Sequence, residues 1–298
     1  MKATSLAWHL GFGYNVLSSW FFLLLTVLAF KSVLADRRVY IHHDCNTSHY
    51  GLDSVIHAFE SHRIEWSVFG RDDPWWSVLT DHPKGTELSM DKKSRFYETG
   101  RSVVDEHMQK IAAKRQLHFQ NALDFGCGLG RISLAVARLF EHVTCVDHSL
   151  YHLKKARDET HMQNATLAQK IRFVLSGPRL EEHLQKHSYD LVISFIALQH
   201  SVTELQVIYV EQMCDMLGKG GLGYIQIPTY LPQNRETHCG HLDRGYQKDF
   251  PFGMQMHYTP LDELQFHLRR RRCEMVSSDV CDMTGSGVSS CIFFEKRN

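Results

Sequence analysis

The sequence predicts an α/β fold: a mostly parallel sheet, doubly wound with helices on both faces and finished by a C-terminal antiparallel hairpin. Three observations predict it. Residues 122–130, ALDFGCGLG, read as a strand running into a glycine turn. About twenty positions on, HVTCVD reads as a second buried strand that ends on an acid, Asp147, the distance at which a βαβ unit places its ribose-binding carboxylate. Strand-like and helical patterns then alternate, which requires parallel pairing with crossovers on both faces.

The first strand leads into Asp124, and the turn is built from Gly126, Cys127, Gly128 and Gly130. Glycine suits a backbone that must take positive φ and let a ligand approach without a Cβ in the way. A helical run, RISLAVARLF, follows from Arg131 to Phe140. Asp147 can accept two hydrogen bonds from a ribose diol, so the ligand expected here is a nucleoside. A dinucleotide loop would need its third glycine at position 131, which is Arg131. Further strands are expected at Ile171–Leu175, Tyr189–Phe195 and Gly223–Ile227, and the runs Cys273–Val280 and Ser290–Glu295, joined by Asp282–Gly287, form the hairpin.

The loop DFGCGLG, with Asp147 beyond it, resembles the first motif of class I S-adenosylmethionine-dependent methyltransferases, and the similarity runs over roughly residues 117–295. The resemblance implies a Rossmann-like sheet of seven strands with one antiparallel member, and S-adenosylmethionine as cofactor. It implies Asp124, Gly126, Cys127, Gly128 and Gly130 at the methionine end, Asp147 at the ribose, and His148 flanking the adenine. Ser194–His200, SFIALQH, matches the family's fourth motif, which lies beneath the sulfonium and faces the acceptor. Many relatives have an acid after the third strand; this chain has Leu175, Ser176 and Gly177, so a backbone carbonyl or Ser176 is left to meet the adenine amino group.

Upstream, RDDPWWSVLTDHPKG and KSRFYETG resemble the family's lid segment. Phe96, Tyr97, Trp75 or Trp76 can stack on a sulfonium or on the acceptor, since aromatic faces attract cations; filling a small core under the lid is the other reading. Methyl transfer needs alignment more than side-chain nucleophiles, and a base only where the acceptor arrives protonated. His200 is the expected base, with Gln199 beside it, because imidazole titrates near neutrality and this one follows a strand's carboxyl end; bonding to the cofactor or capping the next helix are its alternatives. The insertion Pro228–Pro260 is expected to wall the acceptor pocket, with Trp76, Met254, Met256, His257 and Tyr258 nearest the acceptor.

No metal is expected. The 20 histidines and 8 cysteines form no C-x-x-C or H-E-x-x-H, and only His238, Cys239 and His241 cluster. Cys127 and Cys145 occupy strand and loop positions that resemble buried ones, so reduced thiols are expected rather than a disulfide framework.

Residues 10–30 carry no Asp, Glu, Lys or Arg and end in WFFLLLTVLAF, long enough to cross a bilayer core. A membrane anchor is expected, with the following Lys31, Arg37 and Arg38 placing the catalytic domain in the cytosol; a signal cleaved near Asp36, leading to the secretory pathway, and a buried helix are the alternatives. Sequons at Asn46 and Asn164 matter only in a lumenal domain. The expected organisation is an anchor or signal at 1–36, a helical lid at 37–116 and the catalytic core at 117–298. Lys plus Arg equals Asp plus Glu at 33 each, which argues against nucleic acid as partner, and the LRRRR run at 268–272 suits a helix's negative end, with an RNA or lipid-headgroup contact as the other reading. No feature sets an oligomeric state. The expected function is methyl transfer to N, O or S of a small molecule; the alternative is a membrane-tethered cofactor-binding module that acts through a protein partner.

Overall fold

The computed structural model describes residues 52–113, 118–231, 254–281 and 287–297. The apolar stretch 10–30, the sequon at Asn46 and the group His238, Cys239 and His241 lie outside them. Among the described residues no helix is long and apolar enough to cross a membrane.

Seven strands form one sheet in the order β3-β2-β1-β4-β5-β7-β6. They are β1 (Asn121–Phe125), β2 (His142–Asp147), β3 (Ile171–Leu175), β4 (Tyr189–Ser194), β5 (Leu217–Tyr230), β6 (Cys273–Val280) and β7 (Val288–Lys296). The first five pair in parallel, and β7 enters antiparallel between β5 and β6. Strand order reverses at β1, where β2 lies on one side and β4 on the other. Open α/β sheets bind ligands at such a switch point, beyond the strands' carboxyl ends.

Helices α1 (Leu52–Asp72), α2 (Pro74–Val78) and α3 (Met90–Ala112) precede the sheet; α4 (Arg131–Val136), α5 (Leu150–Gln163), α6 (Ala165–Ala168), α7 (Thr203–Met216) and α8 (Leu261–Arg270) alternate with its strands. Alternation along each strand feeds two cores. Leu123, Phe125, Val192 and Ile225 pack with Tyr209, Met213 and Leu264 on one face. Ala122, Val143, Leu191 and Ile193 pack with Phe96, Val104 and Leu134 on the other. Burial of each large side chain stabilises the fold by about 1.5–3 kcal/mol, so the central strands are the rigid base on which the loops sit.

Three expectations change. The helix after the glycine turn stops at Val136 rather than Phe140, because Arg138 and Leu139 N–H tighten onto Ala135 and Val136 carbonyls while Lys170 Nζ caps the carbonyls of Ala137 and Phe140. Strand β5 extends well beyond Gly223–Ile227, since β7 pairs with it from Leu222 to Tyr230. The reduced thiols give way to disulfides: Cys127–Cys145 with Cα atoms 5.5 Å apart, and Cys281–Cys291 at 5.8 Å. The cause is pairing geometry, since Gly126 and Cys127 N–H both donate to Val146 O and lay the turn across β2. Likewise Cys281 N–H donates to Ser289 O across the hairpin. Cys214 and Cys273 are free and buried.

Candidate functional site

At the carboxyl end of β1 the chain makes three left-handed steps, Gly126, Gly128 and Gly130, with φ of 72°, 52° and 73°. All three glycines are also required by space, Gly130 because a Cβ there would lie 2.9 Å from Thr160 Cγ2. A Cβ on Gly126 would lie 2.3 Å from Ala197 Cβ, and one on Gly128 would lie 2.8 Å from Val78 Cγ2. The turn is therefore pressed from one side by the segment after β4 and from the other by α2.

The turn closes on the acid of β2. Gly128 N–H donates to Asp147 Oδ2 and Ser149 N–H to Asp147 Oδ1, each at 2.8 Å. Behind it lies Asp124, 2% exposed, which accepts a 2.6 Å hydrogen bond from Ser133 Oγ. Burial raises the Asp124 pKa to about 7, against the pull of Ser133 and of the Arg131 guanidinium. Desolvation also lowers Arg131, to about 10.

A cleft opens over these groups. Asp124, Gly126, Cys127, Gly128, Asp147 and His148 form its floor. His62 and Trp66 of α1, Ser77 and Val78 of α2, and His152 of α5 form one wall; Phe195, Ile196, Ala197 and Ser201 form the other. Ile196 has φ of 55°, a conformation that costs a β-branched residue of order 1–3 kcal/mol and recurs at functional sites. Its N–H is held by Gln226 Oε1, and Ser194 Oγ ties the same segment to Phe125 O.

The walls are rich in neutral imidazole. Burial lowers His62 and His152, and takes His148 to about 4. Each has a buried Nδ1 without a hydrogen-bond partner. His152 Nε2 lies 2.8 Å from Ser77 Oγ, whose proton goes to Pro74 O; the ring is then the donor and its Nδ1 a bare acceptor. His62 Nε2 meets Ser201 Oγ at 3.4 Å.

Residues 122–221 match the model of a methyltransferase domain family. Over those residues the chain is similar to a methyltransferase domain. No curated protein matches the sequence. Among solved structures, a magnesium protoporphyrin IX methyltransferase from Synechocystis PCC 6803 with bound S-adenosylhomocysteine aligns with TM-score 0.55 at 17% identity, covering 81% of this chain and 100% of that one. An S-adenosylmethionine-dependent methyltransferase from Leishmania major aligns with TM-score 0.52 at 12% identity, over 80% of this chain and 82% of that one. At these identities the likeness shows the fold: the class I Rossmann-like sheet, with its antiparallel β7.

Of the residues expected at the methyltransferase site, Asp124, Gly126, Cys127, Gly128, Asp147 and His148 converge on the cleft. Gly130 stands behind it as the N-cap of α4. Tyr97 is buried and donates to Leu129 O at 2.8 Å, bracing the turn from behind. Ser176 N–H donates to Asp147 O and its hydroxyl to Gly177 O. Trp75 fills the lid's interior, edge-on to Phe96 with its Nε1 on Glu87, and Trp76 carries the Lys84 ammonium 3.9 Å from its ring centre.

The acceptor-side expectations form a second group. Gln199 and His200 lie on a 3-10 turn, Leu198–His200. His257 N–H donates to Gln199 O at 2.8 Å, Thr203 Oγ1 to Tyr258 O, and Gln206 Nε2 to both Leu198 O and His257 O. The segment Met254–Tyr258 is thus stitched to the turn. His200 Nδ1 is 3.0 Å from Gln255 O and its Nε2 is 3.1 Å from the Gln199 amide nitrogen. A carbonyl only accepts and an amide N–H₂ only donates, so both ring nitrogens are committed. Burial holds this imidazole near pKa 4.

Sequence reasoning missed His62, Trp66 and His152. Their signal was present, since His62 and Trp66 are four apart on a 21-residue helix and therefore share a face. Among the described residues no group of three or more His, Cys, Asp or Glu side chains is arranged to hold a metal ion.

Proposed function

We propose that this domain is an S-adenosylmethionine-dependent methyltransferase that acts on an N, O or S atom of a small molecule in the cleft. The single observation that carries the reading is the glycine turn folded onto Asp147 with Asp124 buried behind it. The cofactor is S-adenosylmethionine, which supplies a methyl group activated by the positive sulfur. The site fits it: the turn is a cradle that a single Cβ would fill, and it offers a carboxylate for a ribose diol and a second for an ammonium. His148 lies beside Asp147 among Phe59, Phe125 and Tyr209, where its ring can flank a base.

What the protein adds is placement and dryness. Trp66 and Phe195 line the cleft with Asp124 and Asp147, and holding reactants aligned there supports ~7–11 kcal/mol of barrier lowering. Where the acceptor carries a proton, His62 is the group we assign to take it. Its Nδ1 is buried without a hydrogen-bond partner, the residue lines the cleft, and burial keeps it unprotonated at neutral pH. His200 is then a positioning residue that holds the Gln255 segment against the 3-10 turn.

The two disulfides favour an oxidising compartment, so of the two localisations the secretory pathway is the one we propose. An acceptor in that compartment is a small molecule or a segment that reaches the cleft. Calorimetry of the full-length protein with S-adenosylhomocysteine and, separately, with NAD tests the core of the reading. Heat with the first alone is expected; heat with NAD alone would overturn it.

A further inference from the structure

A second cleft lies at the opposite pole of the sheet, where the parallel strands begin. It has a volume of about 620 Å³, within the range of small-molecule sites. Its walls come from the ends of α8, β5 and β7 and from the loop before β4, and Asp215 is the sole acid among its lining residues. In a chain of zero net charge, this is a local concentration of cations that balance does not require.

Part of that charge is spent within the protein. Arg271 is held by Glu211 and Asp215, Arg270 by Glu211, and Arg297 by Glu274 and Glu295. Three lining cations remain without a carboxylate partner among the described residues: Lys219, Arg272 and Lys296. Lys296 is 8% exposed, and its ammonium donates to a single carbonyl, Arg271 O, at 2.7 Å. Its other two N–H groups have no protein acceptor among the described residues and are available to a ligand.

The backbone gives an independent sign. Only three non-glycine residues among those described have positive φ: His187, Ile196 and Arg272. Ile196 lines the methyl-transfer cleft, and the other two, both at 56°, line this one. Left-handed backbone costs a side-chained residue about 1–2 kcal/mol relative to the right-handed form, so glycine would be the cheaper choice at each. His187 Nδ1 lies 3.2 Å from Leu217 O; a carbonyl only accepts, so Nδ1 carries the proton there. Arg272 N and O pair with Arg269 and Arg297, and its guanidinium has no hydrogen-bond or ion-pair partner among the described residues.

We propose that this cleft binds a compact anion bearing two linked or neighbouring phosphates, as a free phosphorylated small molecule or as a phosphorylated lipid headgroup. Three uncompensated cations exceed what one dianionic phosphate neutralises, and the volume exceeds what one phosphate fills. The arginine and lysines divide the work by geometry, a planar fork for two oxygens and point charges for the rest.

The test is calorimetry of the full-length protein with inorganic pyrophosphate, and co-sedimentation with phosphatidylcholine vesicles that contain or lack phosphatidylinositol bisphosphate. The comparison variant is Lys219→Ala with Arg272→Gly. Both sites are exposed, and glycine suits the φ at 272, so the variant keeps its fold; unchanged binding of S-adenosylhomocysteine checks this at the far pole. Pyrophosphate binding that weakens with salt and at least tenfold in the variant supports the site. Vesicle binding that needs the bisphosphate lipid assigns it to a headgroup, and pyrophosphate binding without it to a free ligand. No pyrophosphate or lipid binding, or equal binding by the variant, overturns the proposal.

Discussion

The cleft we propose for methyl transfer has two halves, one assigned here to the cofactor and one to the acceptor, and they are built differently. The cofactor half is backbone and carboxylate: the turn 126–130, Asp124 and Asp147, all within one βαβ unit. The acceptor half is side chains from distant segments, His62 and Trp66 on α1, Val78 on α2, and residues 195–201 after β4. A ligand common to a fold is held by parts that come folded together. A ligand particular to one protein is held by parts that only the tertiary structure assembles.

Gly126 is where the halves touch, and its replacement should have the largest effect. In Gly126→Ala the new methyl would stand 2.3 Å from Ala197 Cβ at a φ of 72°. Forced conformation and overpacking each cost roughly 1–3 kcal/mol. We expect binding of S-adenosylhomocysteine to become undetectable by calorimetry while far-ultraviolet circular dichroism stays native. Retained binding would mean that the two halves are not in contact during function.

The acceptor half is sharpened by a pair of histidine variants. His62→Ala should lower turnover about a hundredfold, the lower end of the usual contribution of a positioned base, with little change in cofactor affinity. His200→Ala should instead raise KM for the acceptor and lower thermal stability, because it removes the tie to Gln255 O. If turnover falls for His200 and not for His62, the two roles are exchanged.

A smaller effect is expected from the bond that staples the cofactor half. Cys127 and Cys145 are 18 residues apart, and closing a loop of that size stabilises by about 3 kcal/mol on the chain-entropy model. Cys127→Ser should lose stability of that order in urea titration, and a reducing agent should bring the parent protein toward the variant. Cofactor affinity should fall less than stability, since Gly128 N–H still reaches Asp147 in the reduced turn. A parent protein that is insensitive to reductant would refute the staple.

The same contrast explains what could be read from the sequence. Asp124, the glycines and Asp147 were legible because strand, turn and strand are contiguous and each residue's task is local. Five strands and the final hairpin followed from alternation and turn chemistry; the extra length of β5 did not, because β7 imposes it from almost 60 residues away or more, Tyr230 pairing with Val288. Trp75 and Trp76 drew attention by size, yet their rings are taken up by Phe96, Glu87 and Lys84 inside the lid. Trp66 reached the cleft because α1 lies beside His148, His152 and His200, a neighbourhood that no spacing in the chain announces. The disulfides escaped for a related reason: 18 and 10 residues of separation carry no signal until strands pair.

The smallest effect tests the chemistry of the cofactor half alone. Burial raises Asp124 to about 7, so near neutrality about half of the free protein holds a proton there. An ammonium or sulfonium ligand prefers the ionised form, and its binding must expel that proton. Affinity for S-adenosylhomocysteine should therefore fall roughly fivefold from pH 7 to pH 6 and level off above pH 8. His148 and His200, held near 4, do not change charge in this window. For folding the sign is reversed. The folded state holds the Asp124 proton between the ordinary carboxylate value of 3.8 and about 7, so this group favours folding at the acid end and its contribution is lost as pH rises through 7. His148 and His200, lowered from 6.5 to about 4, act the other way between those values, so the Asp124 share is the difference between parent and Asp124→Asn in paired urea titrations. A binding curve flat from pH 6 to 8, with no proton uptake or release in buffers of different ionisation enthalpy, would show that Asp124 is already ionised and that the turn, not the buried acid, selects the ligand.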